Sequence, residues 1–142
     1  MVAVTTDVDA VTAANAELYA AFEEGDVDRM EAVWDDAEDV RCVHPGWPLL
    51  RGRSRVLRSW SVIMANTSYI QFFLTAVETS VDGDVAVVTC EENILTAVAD
   101  PDGTLSPSAK VVSTNIFRRR PDGWRLWVHH GSPVITPAGD PE

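Results

Sequence analysis

The chain predicts an α+β fold, with helices in its first half laid on one face of an antiparallel sheet made by its second half. Three observations carry this. Apolar residues recur at three- and four-residue spacing through the first 66 residues. From residue 70 onward, β-branched and aromatic residues dominate four long runs. Tight Gly-containing turns join those runs in pairs, which makes hairpins rather than crossovers.

Each element follows from local chemistry. From Asp7 or Asp9 to Glu24, the residues Val11, Ala14, Leu18, Ala21 and Phe22 fall on one helical face. Gly25 stops that helix, and Asp26 caps a short second one that reaches about Trp34. Val40 to Val43 reads as a short strand ended by Pro45-Gly46. Ser54 is the expected cap of a third helix ending near Asn66, with Val56, Leu57, Trp60, Ile63 and Met64 on its apolar face. The strand runs are Ile70–Val81, Val85–Thr96, Lys110–Arg119 and Trp124–Ser132. Asp82-Gly83-Asp84 turns the first pair and Pro121-Asp122-Gly123 the last. The middle connection, around Asp100-Pro101-Asp102-Gly103, is longer and more polar. One domain is expected over residues 8–134, with loose ends at 1–7 and 135–142.

Charge narrows the partners. The net charge is −11, and an acidic surface repels phosphates, so neither nucleic acid nor an anionic membrane is expected. The run Arg118-Arg119-Arg120 abuts a turn and reads as a solvated hairpin end. Cys42 and Cys90 lie in apolar stretches and read as buried thiols. The first residues lack a basic and an apolar segment in series, and no apolar run approaches the roughly 20 residues that span a bilayer. The expected location is cytoplasmic.

Strand alternation assigns faces. In the last strand Trp124, Leu126, Val128, His130 and Ser132 share one side, and Arg125, Trp127 and His129 the other. In the preceding strand Ser113, Asn115 and Phe117 oppose Val112, Thr114, Ile116 and Arg118. Both sides carry large apolar groups. The side away from the helices is therefore expected to meet a second copy, giving a homodimer through an outer sheet face that includes Ile116 and Trp127.

The segments ELYAAFEEGDVDRMEAVWDD, VRCVHPG, RGRSRVLRSW and STNIFRRRPDGWRLWVHHGSP together resemble the nuclear transport factor 2-like superfamily, and within it the SnoaL-like branch. The superfamily includes ketosteroid isomerases, polyketide cyclases, limonene epoxide hydrolases and the association domain of calmodulin-dependent kinase. The resemblance covers about residues 8 to 134. It implies a cone-shaped roll, in which three helices pack on a strongly curved antiparallel or mixed sheet and a pocket opens between them.

The same resemblance implies site residues. Where the isomerases carry a catalytic aspartate before a proline, this chain has His44 before Pro45. A histidine there suits a general base near neutral pH. The isomerases' oxyanion tyrosine falls on Leu18, and Tyr19 stands one position away, about 100° around a helix. Their aspartic acid in the penultimate strand falls on Asn115, an amide that donates a hydrogen bond but not a proton. Strand parity adds His130 and Val128 to the pocket side, with Thr89, Glu91 and Asn93 on the neighbouring hairpin; a bulge there would instead turn Glu92 inward and leave Glu91 exposed. His129 is expected to face outward. The expected catalytic set is His44, His130 and Glu91. The expected lining is Asn115, Trp47, Trp60, Asn93 and Val128. No spacing demands a metal, and no cofactor is expected. The implied function is binding of a small apolar or cyclic molecule with acid–base chemistry of the isomerase, cyclase, dehydratase or epoxide-hydrolase type. The alternative is a non-catalytic ligand-binding or association module.

Overall fold

The computed structural model describes residues 6–96 and 106–135. The expectations for the outermost ends and for the polar connection at 97–105 lie outside the described residues. In chain order the elements are α1 (Asp7–Glu24), α2 (Val27–Val33), β1 (Arg41–Val43), β2 (Leu50–Arg51), α3 (Arg53–Ala65), β3 (Ile70–Asp82), β4 (Val85–Thr96), β5 (Ser106–Arg120) and β6 (Gly123–Pro133). Three helices pack on one side of a curved, open, mixed sheet in the order β2-β1-β6-β5-β4-β3. The hairpins β3–β4, β4–β5 and β5–β6 are antiparallel, while β1 lies parallel to β6, pairing Cys42 with His129.

The helix ends are chemically specified. Thr6 caps α1, its hydroxyl accepting from the Asp9 amide at 3.1 Å. Gly25 ends α1 in the left-handed region at φ 63°, where its amide reaches back to Ala21 and Phe22. Asp26 caps α2 through the Arg29 amide at 3.1 Å. Ser54 is not the cap of α3. The helix begins at Arg53 behind Gly52, and no side chain bonds its first amides. The Arg53 guanidinium turns back instead to the carbonyls of Trp34 and Asp35, at 3.1 and 2.7 Å. That contact ties α3 to the α2–β1 link.

The core lies between helices and sheet. Val11, Leu18, Met30, Trp34, Val40, Val56, Val88, Phe117 and Leu126 are fully buried there. Cys42 and Cys90 are free thiols within it, as read from their surroundings. The sheet bends at three irregularities: between Thr75 and Glu78, between Ile94 and Leu95, and opposite Ile116 and Phe117. At the third, Ile116 pairs with Val128 and Phe117 with Leu126, so Trp127 is an extra residue on β6. One added residue reverses the parity of everything beyond it. Trp124 and Leu126 face the helices before the bulge, and His129 and Gly131 face them after it. His130 and Val128 are thereby moved to the outer side, against the strict alternation expected.

On β4 the inward residues are Ala86, Val88, Cys90 and Glu92. Glu91, Asn93 and Thr89 face outward. Glu91 accepts from the Thr75 hydroxyl at 2.9 Å and pairs with Lys110 at 3.5 Å, while the Asn93 amide donates to the Phe73 carbonyl at 2.8 Å.

Candidate functional site

Where α1, α3, the β1–β2 link and the inner sheet face meet, a cavity of about 200 Å³ remains. It is lined by aromatic and aliphatic groups, including Tyr19, Phe22, Trp47, Trp60, Ile63 and Phe72. Among the described residues only His44, Glu92 and His129, besides the Tyr19 hydroxyl, bring titratable chemistry to it. The imidazoles of His44 and His129 have centroids 6.3 Å apart, and Trp60 lies against both at 4.7 and 5.5 Å. The Trp60 indole nitrogen is buried and without a hydrogen-bond partner.

Each histidine has a specified proton. The Ser59 hydroxyl donates its single hydrogen to the Val56 carbonyl at 2.6 Å, so its oxygen accepts from His44 Nε2 at 2.8 Å. His129 Nδ1 lies 2.5 Å from the carbonyl oxygen of Asn115 and donates to it. The Asn115 amide in turn donates to Asn15 at 2.8 Å and to the Tyr19 hydroxyl at 3.1 Å. Tyr19 donates to Glu92 Oε2 at 2.7 Å, and the Ser113 hydroxyl donates to the same oxygen. These residues share a face because β4 and β5 pair Val88 with Asn115 and Cys90 with Ser113, while α1 presents Asn15 and Tyr19 one helical turn apart.

Burial sets the charges. Loss of solvation pulls the His44 pKa down from 6.5 to about 4. The same effect, reinforced by the neighbouring imidazoles of His44 and His130, pulls His129 to about 3. Both rings are neutral at neutral pH. Burial raises the Glu92 carboxyl above its ordinary range, against the opposing hydroxyls of Ser113 and Tyr19. Tyr19 is pushed far up by burial and by Glu92, so it remains a phenol. Burial likewise holds Cys42 as a thiol. The site therefore presents a carboxyl whose pKa is raised beside two neutral imidazoles, each with one N–H.

The predicted residues divide accordingly. His44, Trp47 and Trp60 line the cavity. Asn115 lies behind it, fully buried, holding His129. His130, Glu91, Asn93 and Val128 do not reach it; His129 and Glu92 occupy the places expected for His130 and Glu91. Tyr19 lines the cavity although Leu18 holds the aligned position, because Leu18 is buried in the core. Asn15 and Ser113 went unpredicted. The spacing of Asn15 and Tyr19 on an apolar helix face was the available signal, since polar groups on a buried face need partners. Among the described residues no cluster of three His, Cys, Asp or Glu is placed to hold a metal ion.

Three helices against an open curved sheet, with a polar-tipped aromatic cavity between, define a nuclear transport factor 2-like cone. The chain belongs to the SnoaL-like domain family, whose model matches residues 11–136. It is similar to a proposed dehydratase of the NTF2-like family from Streptomyces avermitilis, with 52% identity, TM-score 0.83, and coverage of 92% of this chain and 97% of that one. It is also similar to a proposed calcium/calmodulin-dependent protein kinase type II association domain from Thiobacillus denitrificans, with 31% identity, TM-score 0.77, and coverage of 87% and 94%. Among curated proteins it matches F-box protein SKIP8 of Arabidopsis thaliana at 24% identity over 126 residues, 89% of this chain. The chain spans about half the length of that relative. No helix among the described residues is long and apolar enough to cross a membrane.

Proposed function

We propose that the protein is a cofactor-independent acid–base enzyme acting on a small, uncharged, cyclic molecule, and that its reaction is an elimination of water. The observation that carries this is one buried carboxyl, Glu92, whose pKa burial raises, facing the same aromatic cavity as two neutral imidazoles. The similarity to a proposed dehydratase supports the reaction type. In a cyclic β-hydroxy ketone, His129 or His44 would take the proton α to the carbonyl. The C=C bond forms, the C–O bond breaks, and the hydroxyl leaves as water with the Glu92 proton. Solvent exchange then returns the proton from imidazole to carboxylate. A positioned acid or base contributes on the order of 10² to 10⁴ in rate.

The test is a panel of cyclic β-hydroxy ketones followed by the absorbance of the conjugated enone. Wild type should accelerate at least one member. Glu92→Gln, whose amide oxygen can still accept from Tyr19 and Ser113, should lose about 10² of that acceleration. Binding without turnover across the panel would refute the enzymatic reading.

A second reading, an association module, is favoured by the outer sheet face. Phe73 and Val112 are exposed there, and Ile116 and Trp127 are half-buried beside Arg118, whose guanidinium lies 4.2 Å over the Trp127 ring. The similarity to an association domain supports it too. The homodimer proposed through this face is compatible with either reading. The cytoplasmic location remains part of the same proposal.

A further inference from the structure

The hydrogen bonds behind the cavity run in one direction. Asn15 is 1% exposed and Asn115 is fully buried, so neither amide has water to fall back on. Asn115 has two amide hydrogens. One goes to Asn15 and the other to the Tyr19 oxygen, which passes its own hydrogen to Glu92. Only the Asn115 carbonyl oxygen is left for His129, and it sits at Nδ1. A neutral imidazole has a single N–H. Nε2 of His129 is therefore a bare lone pair, with no partner among the described residues, on a ring that lines the cavity.

We infer that the Asn15–Asn115 pair sets His129 in the tautomer with Nε2 bare, and so makes the cavity a reader of an uncharged ring compound that donates a hydroxyl hydrogen. This rests on the cavity being the binding site, as in the function proposed above. A second observation points the same way. Among the described residues no lysine or arginine lines the cavity and its one acidic group is Glu92, while the whole chain carries a charge of −11. A carboxylate or phosphate would be desolvated there with no opposite charge to meet it. An ether or ketone of the same shape would leave Nε2 unpaired. The volume of about 200 Å³ suits one substituted ring, since an apolar cavity of about 150 Å³ accepts benzene.

The positioning claim is read without any ligand. In ¹⁵N-histidine NMR of the full chain at neutral pH, His129 should show a protonated Nδ1 and an unprotonated Nε2. Asn15→Ala should shift that tautomer balance while the fold persists. A protonated Nε2 in wild type, or a balance unmoved by Asn15→Ala, overturns the claim.

The recognition claim is read by NMR titration with 4-methylphenol, 4-methylanisole and 4-methylbenzoate. The phenol should bind at least about tenfold more tightly than the anisole, the size of one hydrogen bond to a buried acceptor, and the benzoate more weakly still. Asn15→Ala should shrink the phenol–anisole difference. Equal binding of phenol and anisole, or preference for the benzoate, overturns the recognition claim and leaves the cavity as a binding site. Failure of all three rings to perturb cavity residues overturns the cavity reading along with it.

Discussion

His44 and His129 are buried without a carboxylate partner, so folding keeps both rings neutral. Their folded-state pKa values, about 4 and about 3, lie below the ordinary 6.5. The stability they confer is complete above pH 6.5 and is lost as the pH falls through 6.5 toward those values. For His44 the difference corresponds to on the order of 3 kcal/mol. Urea unfolding of wild type and His44→Gln between pH 7 and 4 should therefore show a shallower acid decline in the variant; parallel curves would refute the assignment. Glu92 works with the opposite sign. Its raised pKa favours the folded state most at low pH, and that share is lost as the pH rises through the folded value. Glu92→Gln should remove that loss, gaining stability relative to wild type at the alkaline end of a stability–pH profile. At this scale the sequence was legible for residue type and not for neighbour. His44 could be placed from the family resemblance, with Trp47 close behind it in sequence, and Trp60 from the apolar face of α3. The choices between His129 and His130, and between Glu91 and Glu92, depend on one-residue differences in strand parity. On β4 both alternating sets contain valine, so hydrophobic pattern does not choose between them.

The decisive element is the bulge at Trp127. It bends β6 and turns His129 inward, and strict alternation cannot reveal it. Trp127→Ala keeps the residue count and should cost about 1–3 kcal/mol of packing. Deletion of Trp127 would instead close the bulge, because Leu126 and Val128 already pair with the adjacent Phe117 and Ile116, and would keep His129 facing inward. By differential scanning calorimetry its thermal midpoint should fall by about as much as in the alanine variant, through lost indole packing; wholesale unfolding would show that the bulge itself is required. The β4–β5 register was equally unreadable, because the sequence between the strands is long and polar and carries no two-residue turn signal adjoining both of them. The two-residue turns at 83–84 and 121–122, by contrast, made the other hairpins plain. A third lever is Gly131. A Cβ there would lie 3.1 Å from Pro45 Cγ and 3.3 Å from a Val111 methyl. Gly131→Ala should displace the turn carrying His44 and Trp47. We expect a loss of about 1–3 kcal/mol and weaker ligand binding, measured by unfolding and titration together.

At the scale of the whole molecule, the α+β class, three helices and four long strands followed from periodicity and turns. The two-residue strand β2 was too short to leave a pattern. The proposed homodimer belongs here too. Val112→Arg, at an exposed outer-face position, should yield monomers by light scattering without altering the cavity; an unchanged mass would remove that face as the interface. The parallel pairing of β1 with β6 joins Cys42 to His129 across most of the chain. Such a closure is entropically slow, and it follows local hairpin and helix formation. During translation, the polypeptide can fold its helices and its β3–β4 hairpin long before β6 leaves the ribosome. One wall of the chamber is therefore missing until β6 emerges, and a nascent chain has no complete cavity before that point.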